Sequence, residues 1–360
     1  MEKNIVLNKE AKTSNRKKAG SYIPNLSGLR FWWILLIVFA HFFAVVKYCS
    51  PEFAELPVFL TNGHFAAMGF LALSGFLMYS HHGKEHAEGN PFKKGISLYL
   101  KGFVRFFLLN TLTMIPFVAA DVAGGKFSVK YGIMVVMNLL FVQDWIPGRH
   151  YSLNGVAWFL SNLMFIYLII PFLFKVYRFI RGKAGLAWTL VLVGAPMLIL
   201  LGLESFVRFD AYKNPLYSTC AFMLGALLAD ALGSLSRKNH PWLWLVGTVF
   251  MILGFVYTPV KMPYLWDTAL SMVILLCMYC SSDFPLYSGR GITSVGDAGL
   301  EIMLIHYPIC SLPFKSLILR YQFGRIQVLA LMLGSIVVSV AIAYVWSLVK
   351  KKIKMKIETK

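Results

Sequence analysis

Long apolar runs that recur at short intervals constrain this chain more than any other feature. Segments near 29–47, 64–80, 103–122, 131–143, 156–175, 187–203, 216–232, 241–258, 266–281, 299–318 and 327–349 are dominated by aliphatic and aromatic residues. Most reach the roughly 17–25 residues that a helix needs to cross a bilayer. Only 14% of residues are charged, where a soluble domain carries closer to about a quarter. The mean hydropathy of +0.65 agrees. The fold class this implies is all-α: a polytopic integral membrane protein. A soluble enzyme or a single-span anchor is excluded.

Charge then orders the runs. The net charge of +19 would point to nucleic acid in a soluble protein. Here the basic residues cluster between apolar runs, so membrane lipids and the positive-inside bias account for them, and no nucleic-acid partner is expected. The N-terminal stretch (Lys3, Lys9, Lys12, Arg16, Lys17, Lys18), "HHGKEHAEGNPFKKG" (81–95), "KVYRFIRGK" (175–183), "SRKNH" (236–240) and "KKKIKMK" (350–356) are read as cytoplasmic. That assignment leaves 123–130 and 144–155 both outside, so "YGIMVVMNLLFVQ" does not cross. At roughly 13 residues it is short for a span and reads as a re-entrant or interfacial piece. About ten crossings result, with both termini cytoplasmic. The basic stretch 314–325 (Lys315, Arg320, Arg325) then falls outside, against the rule. The expected organisation is a basic tail over 1–26, one transmembrane domain over 27–349 and a basic tail over 350–360.

The N-terminal 26 residues are polar and do not resemble a cleavable signal peptide. Cys49, Cys220, Cys277, Cys280 and Cys310 are scattered. Cys277 and Cys280 form a CxxC inside an apolar run with no second ligand pair, so all five read as small apolar residues and no metal is expected.

Ionisable groups at membrane depth are costly, which makes each one a candidate for function. In "GLRFWWILLIVFAHFFAVV" (28–46), His41 follows Arg30 by eleven residues. Eleven helical steps return to within about 20° of the same face, roughly 16 Å further along the axis. One stripe thus carries a cation near the cytoplasmic mouth and a proton acceptor deeper in. The plainer alternative is a snorkelling arginine and a histidine that bonds a neighbouring helix. Ser74-Gly75 in "FLALSGFLMYS" permits close helix packing and one hydroxyl contact. Lys101 and Arg105 share a face at i, i+4, suited to phosphate and equally to ordinary membrane flanking. Trp158 opens "WFLSNLMFIYLIIPF" at the expected outer interface. "GDAGLEIMLIHYPI" (296–309) carries Glu301 and His306 into a late span, where a packed core histidine is the simpler reading of His306 alone. Metalloprotease, P-loop, nucleophile-elbow and dinucleotide motifs do not occur.

Taken in order, the L-x-x-L-R…H first helix, L-S-G-F-L, the basic start of the third helix, W-F-L…Y-L…P and G-D-A-G-L-E-I-M-L-I-H-Y-P-I resemble membrane acyltransferase family 3. These are integral-membrane O-acyltransferases of bacterial glycans, and the resemblance runs from about residue 24 to 350. It implies transfer of an acyl group, usually acetyl, from cytoplasmic acyl-CoA to a hydroxyl of a cell-surface or lipid-linked sugar, in a bacterial cytoplasmic (inner) membrane. It assigns His41 as base or transient acyl carrier. It places Arg30, Lys101 and Arg105 at the CoA phosphates, and Ser74, Trp158, Glu301 and His306 at substrate or structural positions. Two family features are absent. Gly102 and Leu108 stand where an R-x-x-R would place a partner for Arg105, and Leu163 stands where many members carry glutamate. Lysine at 101 would supply a point charge without the guanidinium fork. The rival reading is a secondary transporter of an anionic solute, using the same buried groups as a relay. Trp145, Tyr151 and Tyr212 are candidate stacking residues for a sugar ring, and homo-oligomerisation stays open.

Overall fold

The computed structural model describes residues 22–126, 128–146, 153–204, 210–233, 239–257, 263–321 and 323–358. The chain forms α1 (Pro24–Cys49), α2 (His64–Ala87), α3 (Pro91–Ala123), α4 (Val129–Leu139), α5 (Trp158–Glu204), α6 (Pro215–Gly233) and α7 (Leu243–Val256). There follow α8 (Pro263–Cys280), α9 (Pro285–Ser288), α10 (Arg290–Gly296), α11 (Gly299–Ile309), α12 (Lys315–Arg320) and α13 (Arg325–Glu358). No β-strand forms among the described residues. Local chemistry sets the starts: proline occupies the first turn of α1 and α3, and Asn90 caps α3 by accepting from the backbone N–H of Phe92 and Lys93.

Among the described residues, eight helices are long and apolar enough to cross a bilayer. The protein is therefore a multi-pass membrane protein, all-α as the sequence implies. α4 has 11 residues, too short to span by length at about 1.5 Å per residue, as its sequence predicts. α7 is also short, with 14 residues. The basic stretch 175–183, expected as a loop, is helical instead. α5 runs through it and turns at Gly185, whose φ of +80° suits a residue without a Cβ. Helix extends into both segments expected as tails. α1 starts at Pro24, and α13 carries the basic C-terminal run onward to Glu358. Within the 236–240 loop only Asn239 and His240 belong to the described residues.

α2 is the centre of the bundle and packs on α6, α8, α1 and α5. Small residues allow this. A Cβ on Gly75 would lie 1.8 Å from the Phe222 carbonyl oxygen, and one on Gly225 would lie 1.8 Å from that of Ala72. The backbones of α2 and α6 therefore touch, as small-residue crossings in lipid do. One carboxylate fastens the far end of the same group: Asp230 accepts from Tyr79 Oη (2.9 Å), Tyr177 Oη (2.6 Å) and Arg181 Nε (3.1 Å). Apolar side chains left on the outside of α3 and α13, such as Val104, Leu108, Val337 and Val345, form faces suited to lipid.

Candidate active site

α1 and α11 lie side by side and run in the same direction, because two pairs of side chains join them at two heights. Near their starts, Arg30 Nη1 lies 3.3 Å from Asp297 Oδ1. Deeper in, His41 Nδ1 lies 3.1 Å from His306 Nε2. His306 is fully buried, and its Nδ1 lies 3.0 Å from the Ile302 carbonyl oxygen one turn back. Proline chemistry fixes how α11 is held. Pro308 has no N–H to give the Leu304 carbonyl, and the Asn154 side chain takes that acceptor at 3.0 Å. The same loop brings Gly155 against the Tyr307 ring, where a Cβ would meet the phenol oxygen at 2.4 Å. Immediately beyond, Cys310–Phe314 form a π-helical stretch, a deviation that recurs at functional sites.

His41 opens into a cavity of about 250 Å³, lined also by His64, Trp158, Tyr212, Lys213 and Tyr307. Its wall is aromatic and polar-edged. Tyr212 stacks on Tyr264 with ring centroids 5.3 Å apart and meets Trp158 at 4.7 Å. His64 sits edge-on to Tyr212 at 4.6 Å, and Tyr307 is edge-on to His41 at 5.4 Å. Lys213 pairs with Asp210 at 3.8 Å. Behind Tyr212, Asp267 is fully buried, and neither of its carboxylate oxygens has a hydrogen-bond partner among the described residues.

Arg30 lines a different and larger cavity, of about 590 Å³, shared with Asp297, Ser80, His81, Tyr22 and Tyr279. The stripe expected on α1 is real, but no open path joins its two ends. Ile34 and Ile37 lie between Arg30 and His41 on that face and are both 2% exposed. The two cavities share no lining residue. Close packing between helices fills the space that a channel would need.

The other expected residues divide. Arg105 lies near enough to Arg30 for their charges to interact, yet Arg105 and Lys101 are exposed on α3 and do not line the Arg30 cavity. Ser74 Oγ donates to the Phe70 carbonyl of its own helix at 2.7 Å. Glu301 is buried and paired with Lys350 of α13. Trp158 is buried in the His41 cavity wall. Trp145 donates to the Ser161 carbonyl at 3.1 Å and lines no part of that cavity, while Tyr151 lies outside the described residues. Sequence reasoning missed His64, Lys213 and Asp267, each a single polar residue near a helix end. It also missed Asp297 as the partner of Arg30, although the quoted motif contains it. Among the described residues, no group of three or more His, Cys, Asp or Glu side chains forms a metal site.

The sequence model described as an acyltransferase domain (acyltransferase 3) matches residues 23–344, nearly the whole chain. No curated protein and no solved structure gives a significant match.

Proposed function

The chain belongs to the acyltransferase 3 family, and we propose that this membrane acyltransferase moves an acetyl group from acyl-CoA to a sugar hydroxyl. Acyl-CoA binds at the Arg30 cavity on the cytoplasmic side. The hydroxyl, on a cell-surface or lipid-linked glycan, enters the His41 cavity on the other side of a bacterial cytoplasmic membrane. The observation that carries the reading is the His41–His306 pair opening into an aromatic cavity at one end of α1, with Arg30 lining a larger cavity at the other. In the corresponding topology, each half of α5 and the short α7 cross, giving ten spans with both termini inside. Arg325 lies 3.9 Å from Glu52 just beyond the end of α1, which suits the outer position that ten spans require for 314–325.

The chemistry follows from the residue types. Imidazole is the side chain suited to taking a proton from an alcohol near neutral pH. In the direct route, His41 removes the hydroxyl proton as the oxygen attacks the thioester carbonyl. The C–S bond breaks, and the departing thiolate takes up the proton. In the covalent route, His41 attacks the thioester carbonyl first, the C–S bond breaks and CoA leaves as the thiolate; the acyl-imidazole then passes its acyl group to the hydroxyl oxygen, whose proton goes to the thiolate. Either route requires the packing at Ile34 and Ile37 to open, since it closes the line between the cavities. At about 250 Å³ the His41 cavity falls below the range of drug-sized pockets, which suits a single ring walled by Trp158 and Tyr212. Arg30, with Arg105 nearby, offers cationic charge to the donor phosphates. Family membership favours acyl transfer over solute transport.

Purified protein in liposomes, given labelled acetyl-CoA and a glycan acceptor, tests the reading. His41→Ala should abolish transfer of label. Transfer at the wild-type rate by that variant would falsify both routes.

A further inference from the structure

Resting on that role for His41, we propose that His306 is a positioning residue. It holds His41 in the tautomer whose Nε2 is unprotonated, so that Nε2 is the reacting atom in either route. The argument is one of hydrogen-bond accounting. A backbone carbonyl only accepts. The Ile302 oxygen, 3.0 Å from His306 Nδ1, therefore requires a proton on that nitrogen. A neutral ring with a proton on Nδ1 carries its lone pair on Nε2. That lone pair faces His41 Nδ1 at 3.1 Å, so His41 must donate from Nδ1. The free lone pair of His41 then sits on Nε2, on a ring that lines the cavity; the Ile37 carbonyl, one turn back on α1, is a second acceptor beside this ring.

The surroundings make this chain of bonds hard to reverse. His306 is fully buried at 0% exposure, and the Ile302 carbonyl belongs to its own helix. α11 cannot turn to offer a different atom, because Asn154 holds its Leu304 carbonyl. Gly155 presses against Tyr307 next to His306. When His41 takes a proton on Nε2, the new imidazolium keeps its Nδ1–H directed at the His306 lone pair. His306 thus stabilises the charged intermediate without leaving its own bond to Ile302. This is the arrangement a carboxylate supplies in hydrolase triads, here provided by a second neutral imidazole.

The test combines activity with a direct readout of the tautomer. Protein labelled with ¹⁵N in its histidine rings is reconstituted in liposomes, and nitrogen NMR separates protonated from unprotonated ring nitrogens. The His41 signals are identified by their loss in His41→Ala. The wild-type His41 should show Nδ1 protonated and Nε2 bare. His306→Leu removes the acceptor: a second His41 tautomer should appear, and kcat should fall on the order of 10²-fold with little change in the donor KM. His306→Gln keeps an acceptor oxygen near the Nε2 position, so it should restore the Nδ1–H tautomer and most of kcat. A protonated Nε2 on wild-type His41 would overturn the proposal. So would His306→Leu protein that loses activity while His41 keeps its single tautomer, since that marks a purely structural role. Neither result depends on the activity of His41→Ala, which tests the role of His41 separately.

Discussion

Gly75 of α2 and Gly225 of α6 face each other across a crossing with no room for a methyl group on either side. A Cβ on one would sit 1.8 Å from the Phe222 carbonyl oxygen, and a Cβ on the other 1.8 Å from that of Ala72. The Ser-Gly-Phe segment of the second helix is therefore a packing device. Its serine is turned back on its own helix, bonded to the Phe70 carbonyl.

Alanine at position 75 should separate α2 from α6 and loosen the whole bundle, since α2 is its centre. Overpacking a tight contact costs about 1–3 kcal/mol and more where backbone is the obstacle. Thermal unfolding in detergent should show a lower midpoint for both Gly75→Ala and Gly225→Ala, whereas Ser74→Ala stays close to wild type. An unchanged midpoint for both glycine variants would contradict the crossing.

Glu301 is buried and bonded to Lys350, so removing the lysine leaves a carboxylate with no counter-charge. Lys350→Met should destabilise the protein by about 1–3 kcal/mol, the cost of an unsatisfied buried group. Pairing it with Glu301→Gln should recover part of that loss, because the charge is then gone from both sides. The measurement is a double-mutant cycle on detergent unfolding midpoints.

If Arg30 meets the donor phosphates, Arg30→Ala should raise the KM for acetyl-CoA by about tenfold or more and leave the acceptor KM unchanged. Arg30→Lys should fall between the two, since an ammonium binds phosphate as a point charge without the fork. Steady-state kinetics with each substrate varied in turn separates these outcomes. A change confined to the acceptor KM would contradict the assignment.

Tyr212 contributes a ring to the His41 cavity and stacks on Tyr264. Tyr212→Ala should raise the acceptor KM by about tenfold, equivalent to about 1.4 kcal/mol of lost aromatic contact, and leave the donor KM alone. Tyr212→Phe keeps the ring and should stay within about threefold of wild type. Equal effects of the two substitutions would assign the work to the hydroxyl instead.

Hydropathy and basic loops are sums over many residues, which is why the membrane class, the helical fold and the short α4 were legible before any coordinates. The faces of single helices were legible too, since Arg30 and His41 follow from helical period alone. Contacts between helices were not. His41 meets His306 across 265 positions of sequence, and no local pattern encodes that meeting. That Trp158 faces protein was not legible either, since the rings it packs against, Tyr212 and Phe159, are met only in the fold. His64 and Asp267 passed unnoticed because polar residues near helix ends are ordinary. Only the cavity distinguishes them. The closed packing between Arg30 and His41 was not legible for a related reason: a shared face shows where side chains point and says nothing of what fills the space beside them.

The fastening of α1 to α11 at two heights makes the first helix a ruler. Eleven residues of α-helix separate the arginine and the histidine by a length of roughly 16 Å that no lipid can stretch or compress. A thicker or thinner bilayer would make the bundle lean, and the interval would remain. Whatever is anchored at Arg30 must carry its reactive end across that fixed interval. On the proposed reading, the donor is selected by the reach of an arm as well as by the charge at its base.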